Sequence, residues 1–402
     1  MLPAPVTSLE AAPAPEPSRR AVGLLAAIAA ISVANLYYAQ PLAALMAAAF
    51  RVGVGAIGFA LMLSQLGYAL GMLLLVPLGD GRERRGMMIA TALASATTLL
   101  AVSLAPSFRV LAAASFVLGF VTCLPQMAVP FAVGLVPPAA RGKAIGLVMG
   151  GLLGGILLSR MVSGTLAGWI GWRATFLGAG AVMAGLALVI RLALPVQRPP
   201  VRLPWLRILA SLGHLIRSQP LLRRHALVGA CGFAGFSVFW STLAFHLARL
   251  GYGSRTAGLF GALGVAGVAV APIVGRLAGR IPATRINLVG LIGIIAGFGV
   301  FALAGPSLFL LGVGVVLLDA GVQASHLANQ TIIFGLAPEL RNRVNAVYMV
   351  TYFIGGALGT IAAAVIFEHA GWPGVCLLGA LAAAAGIVPI WSNRPGARAR
   401  SS

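Results

Sequence analysis

The chain has 402 residues, of which 60% are hydrophobic and only 9% are charged, and its mean hydropathy is +0.99. Soluble domains carry charge on about a quarter of their residues, so this composition excludes an ordinary soluble domain. The formal net charge of +21 would suggest nucleic-acid binding in a soluble protein. Here the arginines occupy short connections between long apolar segments, so we expect membrane topology to explain them and no nucleic-acid partner.

The three cysteines, Cys123, Cys231 and Cys376, are dispersed within apolar segments. The sequence has no CxxC motif and no Cys/His pair at metal-ligand spacing, so it predicts neither a disulfide framework nor a metal site. It also lacks a nucleotide-binding P-loop, so we expect no cofactor and no direct use of ATP.

Apolar segments of about 20 residues, the length that crosses a bilayer core about 30 Å thick, recur along the whole chain. Backbone polar groups must be paired inside hydrocarbon, so each segment should be helical. The sequence therefore predicts an all-α membrane protein with twelve transmembrane helices, at about 21–46, 54–78, 87–105, 110–134, 142–167, 173–194, 224–248, 255–275, 285–304, 307–333, 344–367 and 373–392.

The connections predict how the chain is divided. Residues 1–20 are rich in Pro and Ala and predict a disordered tail, followed by a six-helix bundle over 21–194. A Pro- and Arg-rich linker over 195–223 contains a short amphipathic helix around Trp205–Arg217. A second six-helix bundle over 224–393 and a tail over 394–402 complete the chain.

Basic residues alternate between the two sides of this predicted topology. Counted loop by loop, 22 of the 28 Lys and Arg residues lie on the side of the N-terminus and five on the other, and Arg160 lies within a span. Cytoplasmic loops carry the excess of Lys and Arg, so we expect a multi-pass protein of the bacterial inner membrane with both termini in the cytoplasm.

The chain repeats its outline after about 202 residues. Arg141, Gly154-Gly155 and Ala167-Gly168-Trp169 are echoed by Arg343, Gly355-Gly356 and Ala370-Gly371-Trp372. An offset of half the chain predicts two six-helix halves related by a parallel repeat.

Two glycine- and charge-rich segments carry a family resemblance. The loop after the second span contains Asp80, Arg84 and Arg85, and the fifth span contains Gly146, Gly150, Gly154 and Gly155. The first resembles the loop motif GxxxD(R/K)xG(R/K)(R/K) and the second the antiporter motif GxxxGPxxGG of the major facilitator superfamily. The twelve spans and the basic central loop fit the drug/proton antiporter-like branch of that family.

The resemblance implies a transporter, in which the loop cluster accompanies a conformational switch and the glycines let helices approach and bend. The chain departs from the family at the fourth-span motif RxxQG, because Ser115–Gly119 lacks its Arg and Gln. In the family that Arg is linked to proton coupling, so the resemblance does not supply the standard coupling route for this chain.

Polar side chains within spans are costly and usually face protein or water. They concentrate in the spans that line the central cavity in this superfamily, and they are nearly absent from spans three, six, nine and twelve. The cavity candidates are Asn35, Tyr38, Gln65, Gln126, Trp240, Gln323, Asn329 and Tyr348.

Asp319 is the one acid deep within a span, and we expect it to carry a proton. His326 follows on the same helical face about two turns on and extends a proton path. Arg160 lies at a depth near that of Asp319; it attracts Asp319 across the halves or binds an anionic substrate group, and the alternative is that it snorkels to the surface. For Asp319 the alternative is a purely structural link between spans.

These features predict a secondary active transporter that works by alternating access, is a monomer, and exports a small organic or amphipathic compound in a proton-coupled reaction. One alternative is an uptake symporter or a facilitator of a small polar solute. Others are a lipid-modifying membrane enzyme, disfavoured by only seven scattered acids, and a non-transporting membrane sensor.

Overall fold

The computed structural model describes residues 19–80, 82–197, 205–277, 280–336 and 341–391. Residues 1–18 of the predicted tail over 1–20, the tail over 394–402 and part of the linker lie outside these residues. The α-helices in the described ranges are α1 Arg19–Ala34, α2 Ala39–Phe50, α3 Val54–Leu74, α4 Arg84–Ser103, α5 Phe108–Val121, α6 Leu124–Gly134, α7 Arg141–Ala193, α8 Trp205–Ser218, α9 Pro220–Arg249, α10 Ser254–Leu263, α11 Val265–Leu277, α12 Ala283–Leu303, α13 Leu308–Phe334 and α14 Arg341–Trp391.

Ten helical stretches in these ranges are long and apolar enough to cross a membrane, and the two longest have 56 and 48 residues. A straight helix of 56 residues would be about 84 Å long, far more than the bilayer core of about 30 Å. Both long helices turn back at a glycine with positive φ, Gly171 (φ 79°) in α7 and Gly371 (φ 63°) in α14. Only glycine adopts these angles without strain, so each long helix is a hairpin of two spans, and the described residues form twelve spans.

We number the spans in chain order. Span one is α1 with α2, span four is α5 with α6, and span eight is α10 with α11. Spans five and six are the parts of α7 before and after Gly171, and eleven and twelve are the corresponding parts of α14. Spans two, three, seven, nine and ten are α3, α4, α9, α12 and α13. The end of the bundle where span one begins is called the basic end, and the other is the opposite end.

The two halves repeat at an offset of 200 residues, rather than the predicted 202 or so. Ser107 and Ser307 both cap a helix by accepting from the backbone N–H three residues on. The hairpin glycines are each followed by a buried tryptophan, Trp172 and Trp372. Trp169, which the sequence comparison had matched, is exposed and lies three residues too early.

Glycines set the closest helix contacts in both halves. A Cβ on Gly155 of span five would clash with the backbone of Ala30 in span one, and a Cβ on Gly355 of span eleven would clash with the backbone of Ala230 in span seven. Without hydrophobic attraction between helices in lipid, close backbone packing of this kind supplies much of the association. The same pairs recur in both halves, so the bundle is built twice on one plan.

The amphipathic helix predicted in the linker is present as α8. Its Trp205 Nε1 donates to the carbonyl of Leu74 at the end of span two, 3.0 Å away. Leu212 and Leu215 of the same helix are buried. α8 is therefore packed against the basic end of the bundle.

Candidate functional site

Arg160 of span five lies in the centre of the molecule, where the halves meet. Its side chain is 1% exposed, so the guanidinium does not reach the surface. Its Nε donates to Gln40 Oε1 of span one at 2.7 Å. The guanidinium carbon lies 4.0 Å from the ring centroid of Trp240 in span seven and 4.8 Å from that of Tyr37 in span one. Cation–π attraction to aromatic faces partly replaces the water that this charge has lost.

Asp319 of span ten lies at the N–H edge of the same indole. Trp240 Nε1 donates to Asp319 Oδ1 at 3.2 Å, and the residue Asp319 is 7% exposed. Trp240 therefore bridges the two charged groups, with its face towards Arg160 and its N–H towards Asp319. Their opposite charges attract each other through the indole. The link between the two residues runs through Trp240.

Span eight packs against this cluster through a row of glycines. A Cβ on Gly261 would lie 2.7 Å from Arg160 Cβ, and a Cβ on Gly264 would lie 2.8 Å from Asp319 Oδ2. Gly258 and Gly267 continue the same face at intervals of three residues, against the backbones of Arg160 and Asp319. Span eight thus meets both charged residues with a face of glycines, which leaves room for charges carried by other spans.

At the opposite end the halves are in close contact. Span two meets span eleven, where Gly55 N donates to Glu368 Oε1 at 2.8 Å and Gln65 Nε2 donates to Thr360 Oγ1 at 3.0 Å. Span five meets span eight, where Ser254 Oγ donates to the carbonyl of Gly164 at 3.1 Å.

Towards the basic end, spans five and eight separate. Gly164, Leu157 and Gly150 are seven residues apart and share one face of span five, since seven residues make about two helical turns. The first two contact span eight at Gly258 and Gly264, whereas a Cβ on Gly150 would meet nothing within 4 Å. The structure is thus closed at the opposite end and open between these two spans at the basic end.

The cavity candidates of the first half differ in their contacts. Asn35 lies in the break between α1 and α2, is 3% exposed, and has no hydrogen-bond partner for its amide N or O among the described residues. Gln126 Nε2 donates to Tyr68 OH at 3.0 Å. Tyr38 packs edge-on against Phe176 of span six, so it lies away from Arg160, and its neighbour Tyr37 takes the central position.

The candidates of the second half lie in two places, beside span eleven and within the packing of their own half. His326 Nδ1 lies 3.0 Å from Tyr348 OH, which joins spans ten and eleven beside the cluster of Arg160, Trp240 and Asp319. Gln323, between Asp319 and His326 on the same helix, is half-buried. Asn329 is fully buried, and its Oδ1 accepts from Asn287 Nδ2 of span nine at 2.7 Å. Asn329 therefore belongs to the internal packing of its own half.

The loop motif after span two anchors one half. Arg84 Nη1 donates to Gln197 Oε1 at 3.1 Å, and Arg85 Nη1 donates to the carbonyl of Leu194 at 3.2 Å, so both bind the end of span six. Glu83, which replaces a glycine of the family motif, accepts from the backbone N–H groups of Arg85 and Gly86 and caps span three. The Asp80 side chain lies outside the described residues.

The glycine motif of span five uses two faces. Gly155, together with Gly151, packs against span one. Gly146, Gly150 and Gly154 have nothing within 4 Å of an added Cβ. The motif thus has one face that packs against span one and one face with free space beside it among the described residues.

Sequence reasoning gave Arg160, Trp240 and Asp319 candidate roles; it noted Tyr37 and Gln40 only as polar residues of span one and assigned no role to the glycines of span eight. The glycine spacing of three residues in span eight was the available signal for close helix contact. A glutamine in an otherwise apolar stretch of span one was the signal for a partner of a buried charge.

The chain resembles known transporters over most of its length. It is 37% identical over 370 residues to a putative uncharacterized transporter, YgaY, of Escherichia coli K12, covering 92% of this chain and 94% of that one. It is 34% identical over 356 residues to the probable transporter SCO4007 of Streptomyces coelicolor, covering 88% and 83%.

Solved structures show the same fold. A bacterial homologue of the human lysosomal transporter Spinster, in an inward-facing and unoccupied conformation, superposes with a TM-score of 0.71 at 18% identity, covering 93% of this chain and 94% of that one. The family model described as Major Facilitator Superfamily matches residues 22–327. With twelve spans in two repeated halves, the chain belongs to the Major Facilitator Superfamily, and it is a membrane transporter of that family.

Proposed function

We propose that this transporter is a proton-coupled secondary transporter of a small organic or amphipathic compound, with Asp319 as the group that carries the proton. The observation that supports this most directly is the position of the carboxyl group. Asp319 is buried where the halves meet, and it is linked through Trp240 to Arg160 of the other half. A change in its charge therefore acts on the contact between the halves, which alternating access requires.

The direction of transport has two candidates. The antiporter-like glycine face of span five favours export of the compound in exchange for protons. The buried Arg160 beside Asp319 favours the second candidate, in which compound and proton move together, because removing the negative charge of Asp319 leaves Arg160 free to attract a substrate.

The orientation and organisation follow the same proposal. The excess of basic residues supports a cytoplasmic basic end, with both termini in the cytoplasm and the protein in a bacterial inner membrane. On that orientation the present conformation is open towards the cytoplasm. We propose a monomer whose two halves, 21–194 and 224–393, rock about the central site and are joined by the linker 195–223.

Transport into liposomes tests the proposal. The purified protein is reconstituted, a pH gradient is imposed in either direction, and uptake of a panel of cationic dyes and small organic acids and amines is followed. A gradient of one pH unit supports about tenfold accumulation for one proton per compound. We expect this accumulation in the wild type, and its loss on collapsing the gradient with an ionophore.

Asp319→Asn keeps the shape of the side chain and removes its proton. We expect it to abolish gradient-driven accumulation while leaving exchange of labelled for unlabelled compound intact. Glu83→Gln is the matched control, since Glu83 is an acid that caps span three at the basic end. Accumulation that survives Asp319→Asn would remove Asp319 from the coupling. The direction of the driving gradient distinguishes exchange from co-transport.

A further inference from the structure

Arg160 is buried with an incomplete set of partners. A guanidinium group has five N–H donors along its edge and none on its faces. The faces of Arg160 are covered by the rings of Trp240, Tyr37 and Phe236, the last with its centroid 5.3 Å from the guanidinium carbon. On its edge, Nε donates to Gln40, but Nη2 is buried and has no hydrogen-bond partner among the described residues. A buried unpaired donor on a charged group is costly, so it calls for an acceptor.

Asp319 is not that acceptor in this conformation. Its Oδ1 is held by the indole N–H of Trp240 at 3.2 Å. Its Oδ2 faces Gly264 of span eight. The carboxylate binds the indole N–H while the guanidinium lies over the indole face, and Gln40, the hydrogen-bond partner of Arg160, is neutral. Trp240 keeps the natural counter-charge close enough to attract Arg160, but Nη2 is left without an acceptor.

We propose that Arg160 is the substrate-binding residue and that the transported compound is a small organic anion, whose carboxylate or similar planar group binds the Nη2 edge. A carboxylate matches the guanidinium edge in geometry and charge. Tyr37, Trp240 and Phe236 provide an aromatic wall for the hydrocarbon part of the compound. The inference rests on the proposed function in one respect, that this central cluster is the transport site.

The charge of Asp319 then controls the affinity for the anion. The titratable and charged groups that interact with it are Arg160 from span five and Tyr352 from span eleven. Tyr37 of span one interacts with Arg160, and His326 lies about two turns away on the helix of Asp319. Span seven contributes Trp240, and span eight contributes glycines. Ionised Asp319 balances the charge of Arg160 and repels a second anion. Protonated Asp319 does neither, so proton and anion bind cooperatively and move in the same direction.

Binding to the purified protein tests this without transport. The probes are benzoate and butyrate, and their amides, benzamide and butyramide, serve as uncharged controls. A ligand that binds the folded state raises the apparent melting temperature by mass action. We expect both carboxylates to raise it more at acidic than at neutral pH, in the range where they are ionised, and the amides to have little effect.

Variants identify the site. Arg160→Gln should weaken carboxylate binding by about 10- to 100-fold, the range for hydrogen bonds to a charged group. Arg249→Gln is the matched control, since Arg249 lies over the Phe367 ring at the opposite end. Asp319→Asn should retain carboxylate binding and lose its pH dependence.

Three results would overturn the inference: amides that bind as well as the acids, unchanged affinity in Arg160→Gln, or no stabilisation by either acid. If a proton gradient drives the movement of amines but acids do not bind, the anion inference is refuted and the proposed proton coupling stands. If acids bind but a proton gradient drives no transport, the proposed proton coupling is refuted and the anion-binding site stands.

Discussion

The contact between spans five and eight offers a direct test of the closed opposite end. A Cβ on Gly164 would lie 2.8 Å from Gly258 Cα, about 1 Å closer than an ordinary carbon contact. Gly164→Ala must therefore push span eight away, or the opposite end must open. Separation would also break the hydrogen bond from Ser254 Oγ to the carbonyl of Gly164.

The size of the effect follows from these two losses. Overpacking costs about 1–3 kcal/mol and a buried neutral hydrogen bond contributes about 0.5–1.5 kcal/mol, so the closed state should lose about 2–4 kcal/mol. That corresponds to a shift of about 30- to 1000-fold in the equilibrium between the two conformations. A transporter that alternates between states of similar free energy would move almost wholly to the form open at the opposite end.

Distances between spin labels report the shift. Labels at Arg109 and Phe309, both exposed near the opposite end of equivalent spans in the two halves, are introduced after the three native cysteines are replaced. We expect longer distances in Gly164→Ala than in the parent. Gly178→Ala is the control, since an added Cβ there meets nothing within 4 Å. A folded Gly164→Ala protein with the parental distance distribution would refute the packing reasoning.

Two further changes act on the same equilibrium. Gly150→Ala should leave the present conformation unaltered. It should hinder the form in which the basic end is closed, since Gly150 lies on the face of span five that meets span eight. Label distances at the opposite end should then show a smaller population of the form open at that end. Glu368→Gln weakens the acceptor for Gly55 N at the first turn of span two. Carboxylates at a helix N-terminus contribute about 0.3–1 kcal/mol, so we expect about a two- to fivefold shift towards opening, and none in Glu83→Gln, whose carboxylate bonds stay within one half. Unchanged distances in Glu368→Gln would show that this bond does not stabilise closure.

The span pattern was readable from the sequence because hydropathy and loop charge are properties of single segments. Twelve spans, the amphipathic linker helix and the parallel repeat all follow from such local signals. The predicted spans place the two turns within 168–172 and 368–372, and the structure has them at Gly171 and Gly371, whereas the sequence repeat paired Gly168 with Gly371. An apolar helix that reverses at one glycine leaves no polar loop to mark the turn, so the position could not be read more closely.

The rotation of each helix about its axis was harder to predict. His326 and Asn329 lie on one helix, three residues apart, yet His326 contacts span eleven and Asn329 contacts span nine. Sequence spacing places residues on faces but does not say which neighbour each face meets. Asn287, a polar residue in an otherwise apolar span, marked the partner of Asn329 and gave the one local hint.

The interrupted helices explain how a charge in the centre can control the ends. Span one breaks between α1 and α2, and Gln40 lies at the start of α2; span eight breaks at Gly264, and Gly261 lies in α10. Breaks at this depth are tolerated where they are buried in protein, as here. Both residues contact Arg160, and both belong to the short segments of the closed opposite end. Opening that end must move α2 and α10, and so must alter the partners of Arg160. Any ligand or proton that changes the strength of the contacts of Arg160 with Gln40 or Gly261 therefore shifts the equilibrium between the closed and open forms of the opposite end.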